Sequence, residues 1–295
     1  MFSKEVTKKL LSHFSEPRRY DQLIRRAEDG MGMTKYKIVQ NFIHDLEAEG
    51  IIKSYSLTAR NTQTITLYAS RPLAQTSPYE VAYAMFPTGY FCNLTSIYFH
   101  ALTNQIPTSI YVGHESPAPK RRSQADLSLT GNKLRSAFIK PHRYTRCVFE
   151  CNGCEIVVVE RAKNSRYGVI PVRDRHGLCP EGSQITSIER ALIDAIVGPQ
   201  YNGGIISVYE YFKNARQKLN IQKLLDIYGQ MSFIYPYAQS IGFFLERLGL
   251  REQATAVYKA FPPKQTFFVD HNAKSTWKYD EKWKLYYPDG LVDED

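Results

Sequence analysis

The stretch that most constrains this chain is 186–204, TSIERALIDAIVGPQYNGG. Its apolar residues recur at helical spacing and predict one buried helix face: Ile188, Ala191, Leu192, Ala195 and Ile196. Ser187 or Thr186 can cap the first turn, and Gly198 followed by proline can end the helix. The Asn-Gly-Gly at 202–204 then predicts a tight turn into another helix.

Asp194 neighbours this apolar face. A carboxylate in that position needs a hydrogen-bond or ion-pair partner, and Arg190 lies one helical turn earlier. We therefore interpret the stretch as a structural helix and turn rather than as the place of a catalytic aspartate.

The first seventy residues predict the order of a winged helix-turn-helix. Apolar spacing indicates three helices, at 4–14, 20–26 and 34–49. Two strand-like runs follow, at 51–57 and 64–69. In a winged helix the third helix enters the major groove of DNA, so residues 1–70 are expected to be a DNA-binding domain.

The third predicted helix carries polar residues suited to DNA contact. An Asn or Gln amide can both donate to and accept from an adenine edge, and a lysine can reach guanine or a phosphate. The residues predicted to contact DNA from this helix are Thr34, Lys35, Lys37, Gln40, Asn41 and His44. Arg60 at the hairpin tip is expected to reach the backbone or the minor groove, and Arg18 and Arg19 are expected to contact phosphates.

The proline-bearing stretch 71–77 is the predicted end of this domain. We expect a mixed α/β middle region over 71–185 and a helical C-terminal region with terminal strands over 186–295, together forming one domain (71–295) of an α+β protein. The strands expected are 108–112, 136–140, 146–150, 155–160, 168–172, 266–269 and 283–287. The further helices expected are 78–86, 93–102, 205–219, 221–228, 238–248 and 252–259.

The excess of basic residues is concentrated in the middle of the chain. Residues 115–175 contain 13 Lys/Arg and 6 Asp/Glu, whereas residues 176–295 contain 13 and 14. A local excess of this kind suits a polyanionic partner. The residues predicted to form a basic surface are Lys120, Arg121, Arg122, Lys133, Arg135, Arg143, Arg146, Arg161, Lys163 and Arg166. The sequence leaves open whether they form one patch or are scattered.

The five cysteines are an odd number and unevenly spread, which argues against a disulfide framework and suits a reducing compartment. The pair Cys151 and Cys154, with Cys147 and Cys179 nearby, raises the alternative of a zinc site. A zinc site usually has two such pairs, and the Asn-Gly between Cys151 and Cys154 predicts a hairpin turn instead. We expect no metal and no cofactor.

The hydropathy pattern predicts a cytoplasmic protein with no membrane partner. No run of eighteen apolar residues is present, and the polar start MFSKEVTKKLL lacks the apolar core of a signal peptide. The hydrophobic share of 43% is ordinary for a globular protein.

Three stretches together resemble the AbiEi-type antitoxins of type IV toxin–antitoxin systems. They are the N-terminal winged helix, the segment 89–111 with its Gln-Ile-Pro, and TSIERALIDAIVGPQYNGG. The last is similar to the family's Ser-Pro-Glu-Arg, Ala-Leu-Asp and Gly-Gly pattern, with Ile188 where proline is common.

The resemblance implies a repressor, not an enzyme, that acts in phage defence. It implies that the N-terminal domain binds inverted repeats in its own promoter, as a monomer in solution that pairs on double-stranded DNA. It also implies that the C-terminal domain neutralises a nucleotidyltransferase toxin without forming a stable complex. The basic surface is our candidate for that task.

Two other classes of function compete with this expectation. One is an enzyme: a nuclease could use Glu150, Glu155 and Glu160 with Lys163, although the rim of a hairpin explains these residues equally well. A nucleotidyltransferase would need two closely spaced aspartates after the glycine turn, and IISVYEYFKNAR contains none. The other class is a plain transcription factor whose middle region senses RNA or a ligand.

Overall fold

The computed structural model describes residues 3–31, 36–116, 131–162, 166–173 and 177–292. Within these ranges the chain forms eleven α-helices and eleven β-strands, and the strands make three sheets. The fold therefore mixes helices and sheets, in agreement with the expected α+β class. No helix within these ranges has the length and apolar character needed to cross a membrane.

The N-terminal segment has three helices followed by a hairpin, as predicted. The helices are α1 (Lys4–His13), α2 (Tyr20–Met31) and α3 (Tyr36–Ala48), and the antiparallel strands are β1 (Lys53–Thr58) and β2 (Thr64–Ala69). α2 continues past the predicted end at residue 26 because its apolar face continues through the buried Ala27. 

The three helices share a core that closes against the start of the hairpin. Leu10, Phe14, Leu23, Val39 and Ile43 are among its buried members. Of the four apolar residues in the first predicted helix, Leu10 and Phe14 are buried in this core, whereas Val6 and Leu11 are exposed.

The hairpin belongs to two cores. Tyr68 packs against the helices, whereas Ala59, Ile65 and Leu67 are buried among residues of the middle region. The predicted boundary at 71–77 therefore follows a hairpin that is already packed onto the next part of the chain.

The middle region is built on a six-stranded mixed sheet with strand order β5-β6-β4-β3-β8-β7. β4 and β6 pair in parallel over eight residues, and β5 and β6 form an antiparallel hairpin. The strands are β3 (Tyr90–Phe91), β4 (Ser109–Ser116), β5 (Val148–Cys151), β6 (Cys154–Ala162), β7 (Val169–Pro171) and β8 (Gln184–Thr186). The helices in this part are α4 (Pro78–Met85), α5 (Asn93–Phe99) and α6 (Gly131–Phe138).

The two faces of this sheet have different partners. Alternate residues such as Ile110 and Ile156 pack with α4 and the β1–β2 hairpin. Their neighbours Tyr111 and Val157 face the other side, where they pack with Tyr201. The sheet is thus covered on one side by the N-terminal hairpin and on the other by C-terminal elements.

The strand predicted at 136–140 is wrong, because the chain there is the end of α6. Leu134 and Phe138 lie four residues apart and are both buried, which is helical spacing. The prediction considered residues 136–140 by themselves, and four or five apolar residues do not distinguish a strand from a helix end.

The C-terminal region is a helical array with a small sheet. Its helices confirm the predicted series: α7 (Ile188–Val197), α8 (Ile205–Ala215), α9 (Ile221–Met231), α10 (Ala238–Arg247) and α11 (Arg251–Ala260). Three short strands follow: β9 (Phe267–Phe268), β10 (Lys278–Asp280) and β11 (Leu285–Tyr287). β10 was not predicted. Gly242 in α10 lets the Trp283 ring pack on the helix, since a Cβ there would lie 2.0 Å from that ring.

Candidate nucleic-acid interface

The polar face of α3 is presented to solvent. Val39, Ile43 and Leu46 are fully buried on one side of the helix, whereas Asn41 and His44 are exposed and Gln40 is half-buried on the other. Residues 40 and 44 lie one turn apart, so this polar face is continuous. Of the other predicted contacts, Thr34 and Lys35 lie outside the described residues, and Lys37 lies within α3, where its side chain is not described.

Arg60 at the hairpin tip is held by the middle region. Its guanidinium pairs with Glu155, and with Glu150 at 3.3 Å, while its backbone N–H donates to the Val148 carbonyl at 3.0 Å. Hydrogen bonds to Glu155 and then to Glu150 raise the pKa of Arg60. These carboxylates face each other across the β5–β6 hairpin, so two members of the nuclease alternative serve here as counter-ions. To contact DNA, the Arg60 guanidinium has to bind a phosphate in addition to Glu150 and Glu155 or break its ion pairs with them.

Arg18 and Arg19 differ in how freely they can reach a phosphate. The backbone of Arg18 pairs with Tyr68, with N–O distances of 3.0 and 2.8 Å, and its guanidinium pairs with Glu16. Arg19 is exposed and its guanidinium reaches the Met85 carbonyl at 3.5 Å. Arg19 is therefore the better placed of the two.

The cations predicted to form a basic surface divide into three sets. Lys133, Arg135, Arg143 and Arg146 are exposed, and their joint basic surface stays a prediction. Lys120, Arg121, Arg122 and Lys163 lie outside the described residues.

Two residues of the predicted surface use their guanidinium groups within the protein, and for the nearly buried Arg161 this corrects the prediction. Arg166 is half-buried, donates to the Thr88 carbonyl and to Gln184, and lies 5.2 Å from the Tyr90 ring centroid. The side chain of Arg161 is 14% exposed and pairs with Asp194. Both arginines are used for packing because a partner inside the protein neutralises or hydrogen-bonds the guanidinium.

Asp194 lies at the middle of a buried charged centre made of Arg161, Arg190 and Asp194. Its Oδ1 accepts from Arg190 Nε at 3.0 Å and lies 3.3 Å from Arg161 Nη2, and both Arg190 and Asp194 are fully buried. Arg190 was the predicted partner and is confirmed. Arg161 was missed, although a cation at the end of the apolar run EIVVVE was a signal for an internal arginine.

The buried charged centre links three parts of the fold. Arg190 extends from α7 to the Tyr167 carbonyl at 2.6 Å and to the Tyr90 hydroxyl at 3.5 Å, while Arg161 comes from β6. Burial raises the pKa of Tyr90, and burial raises the pKa of the neighbouring Cys92 to about 12. Both therefore stay protonated at neutral pH, and the centre has the chemistry of a structural ion pair.

The start of α7 is capped as predicted. Ser187 Oγ accepts from the Arg190 N–H at 3.4 Å, and Glu189 pairs with Lys223 at 3.0 Å. Burial opposes ionisation of Glu189, but hydrogen bonds from its own backbone N–H, Lys223 and Ser187 lower its pKa overall. The Asn-Gly-Gly turn is also confirmed, with φ of 77° at Gly203 and 88° at Gly204.

The Cys151–Cys154 stretch forms the predicted hairpin turn. Cys151 and Cys154 pair across β5 and β6, and Asn152 and Gly153 have φ of 52° and 76°, as a type I′ turn requires. Burial and, to a smaller extent, the charge of the neighbouring Cys154 raise the pKa of Cys151 to about 11. Among the residues described, no three His, Cys, Asp or Glu side chains come together so as to hold a metal ion.

Comparisons with known proteins inform the fold. No protein-family model matches the chain, and no curated protein is significantly similar to it in sequence. Among solved structures, the crystal structure of the RV2827C protein from Mycobacterium tuberculosis is similar, with a TM-score of 0.53 and 13% sequence identity. The match covers 95% of this chain and 89% of that chain. At this identity the likeness concerns the fold alone.

Proposed function

We propose that this protein is a DNA-binding repressor of its own promoter that also acts as an antitoxin. The observation that carries the DNA-binding part is the order helix, helix, helix, hairpin, with the exposed polar face of α3 opposite its buried apolar face. This is the arrangement that a winged helix-turn-helix uses to place its third helix in the major groove.

The antitoxin part rests on the resemblance of three stretches to AbiEi-type antitoxins. In this proposal the partner is a nucleotidyltransferase toxin, and the exposed cations of the middle region take part in neutralising it. The protein itself catalyses no reaction and needs no cofactor. A plain transcription factor would share the DNA-binding part and differ in having no toxin to neutralise.

A gel-shift titration on the gene's own upstream DNA tests the DNA-binding part. We expect salt-dependent, sequence-selective binding by the wild type, and its loss in Lys37→Ala/Asn41→Ala, because a phosphate or guanine contact and an adenine contact are removed together. Lys8→Ala/Ser12→Ala on α1 changes the charge equally at two exposed positions and serves as the matched control. Equal affinity of the α3 variant and the control would contradict the proposal.

Co-expression with the toxin tests the antitoxin part separately. The α3 variant is expected to neutralise the toxin as well as the wild type does, since the two tasks use different surfaces. If a folded α3 variant no longer neutralises, the proposed division of tasks is wrong. Point variants are preferable to deletion of residues 1–71, because that deletion would remove Ala59, Ile65 and Leu67 from a shared core.

A further inference from the structure

The segment 131–147 carries a concentration of positive charge. Its seventeen residues contain five Lys/Arg and no Asp or Glu. All five cations are exposed, and none forms an ion pair with another described residue: Lys133, Arg135, Lys140, Arg143 and Arg146. By contrast, the internal Arg161 and Arg190 share a buried carboxylate. The charge of this basic segment (131–147) is therefore available to an external anion.

The backbone of the basic segment is held in place although much of it is irregular. His142 hydrogen-bonds to Asp270 at 2.5 Å, and the Lys140 carbonyl accepts from the Asn272 N–H at 3.4 Å. Farther along, Gln200 donates to the Arg143 carbonyl at 3.3 Å, and the Thr145 N–H donates to the Tyr201 hydroxyl at 2.7 Å. Anchored residues thus alternate with exposed ones, and the cations extend from a preorganised backbone, which lowers the entropic cost of binding.

An exposed aromatic ring lies within the same segment. Tyr144 is 67% exposed, and its ring meets that of Tyr201 edge to face at a centroid distance of 6.0 Å. Tyr201 in turn packs on Tyr111 of the sheet at 5.8 Å. The sheet therefore supports Tyr144 from one side while most of its ring surface remains open to solvent.

An exposed ring next to exposed cations fits one class of polyanion best. Single-stranded nucleic acid offers both phosphates for the cations and free base faces for an aromatic ring, whereas a duplex keeps its bases stacked within. We propose that the basic segment binds single-stranded nucleic acid, with a base stacked on Tyr144 and phosphates on Arg143, Arg146 and their neighbours. The segment uses other residues than the polar face of α3 does, and the inference does not depend on operator binding.

Fluorescence anisotropy with full-length protein tests this inference. The probes are a labelled 15-nucleotide uridine-rich RNA, a DNA strand of matching sequence, and the corresponding DNA duplex. We carry out the titrations in the Lys37→Ala/Asn41→Ala background, so that failure of operator binding and failure of this inference are distinguishable. Tighter binding to RNA would indicate a contact to the 2′-hydroxyl, and equal binding would indicate that stacking and phosphates suffice.

Two variants separate stacking from charge. Tyr144→Ala is expected to weaken single-strand binding by about 5- to 100-fold, while Tyr144→Phe retains it. Arg143→Ala/Arg146→Ala is expected to weaken binding and to lower the slope of log affinity against log salt by about 1.4, as two lost phosphate contacts require.

Matched controls lie on α11 and carry the same changes away from the segment. Tyr258→Ala removes a ring that is 39% exposed, and Arg251→Ala/Lys259→Ala removes two exposed cations. Wild-type affinity in Tyr144→Ala, or an equal loss in the controls, would overturn the inference. So would binding of the duplex as tightly as the single strands in the α3-variant background.

Discussion

The basic segment and the buried charged centre use the same residue type for opposite purposes. In the centre, Arg161 and Arg190 converge on Asp194 inside the protein. In the segment, Arg143 and Arg146 are exposed and form no ion pair with another described residue. Whether an arginine becomes structural or available for binding is thus decided by the position of its counter-ion rather than by the local density of basic residues.

The comparison predicts that the carboxylate of the buried charged centre matters most to stability. Asp194→Ala leaves two arginine side chains inside the protein without their shared counter-ion, and we expect it to lower the free energy of unfolding by about 3–5 kcal/mol. Urea denaturation measures the change. Asp226→Ala on the exposed side of α9 is the control and should cost less than about 1 kcal/mol.

A small effect of Asp194→Ala would contradict the idea that a counter-ion decides the position of an arginine, since Arg161 and Arg190 would then stay inside without one. If the alanine variant does not fold, Asp194→Asn preserves the shape and is measured instead. It should still be destabilised, because an amide removes the negative charge.

The second prediction concerns the buried charged centre again, in which two arginines share one carboxylate. Arg161→Met removes one of two cations and leaves the Arg190–Asp194 pair intact, so we expect a loss of about 1–3 kcal/mol, less than that for Asp194→Ala. The two variants are compared in one urea series. A loss for Arg161→Met that exceeds the loss for Asp194→Ala would show that the cation, not the carboxylate, is the organising group.

The third prediction concerns how stability depends on pH through a largely buried histidine. Burial lowers the pKa of His100, whose Nε2 lies 2.6 Å from the Thr186 carbonyl. The unfolded chain therefore binds a proton at His100 more readily than the folded one, so the contribution of His100 to stability is fully present above pH 6.5 and falls as the pH drops below it. Burial lowers the pKa of His271 in the same direction.

Unfolding free energies measured between pH 7.5 and pH 5 test this prediction. The slope contributed by His100 is at most about 1.4 kcal/mol per pH unit, and His100→Gln should reduce the total slope. An unchanged slope in His100→Gln would mean that this histidine does not carry the effect.

The smallest effect on stability is expected for variants in the basic segment. Arg143→Ala/Arg146→Ala should change the free energy of unfolding by less than about 0.5 kcal/mol, because these side chains are exposed and have no ion-pair partner among the described residues. Thermal and urea denaturation both measure it. A larger loss would show that the segment is structural, and it would also weaken its assignment as a binding surface.

Local patterns predicted the helices well. The capped helix at 188–197, the glycine turn after it and the four helices that follow all agree with the structure, because apolar spacing, caps and turn residues act over a few neighbours. The Asn-Gly turn between Cys151 and Cys154 is confirmed for the same reason. Element ends were less accurate, as with α2, which continues to Met31 instead of ending at residue 26.

The candidate interface was predictable in part. The polar face of α3 follows from helical spacing, and the exposed cations at 133–146 follow from a sequence without carboxylates. The partner of Arg161, the hydrogen bonds of Arg166, the ion pairs of Arg60 and the support of Tyr144 by Tyr201 were not predictable. Each depends on a residue dozens of positions away in the chain.

By itself the sequence determined which segments are helices, which turns are tight and where the excess positive charge lies, because these follow from short-range spacing and composition. The tertiary structure decided which arginines are neutralised internally and which remain exposed. It did so because the fold brings the Arg161 side chain from the end of β6 to α7, and only that packing places Asp194 within reach of both Arg161 and Arg190.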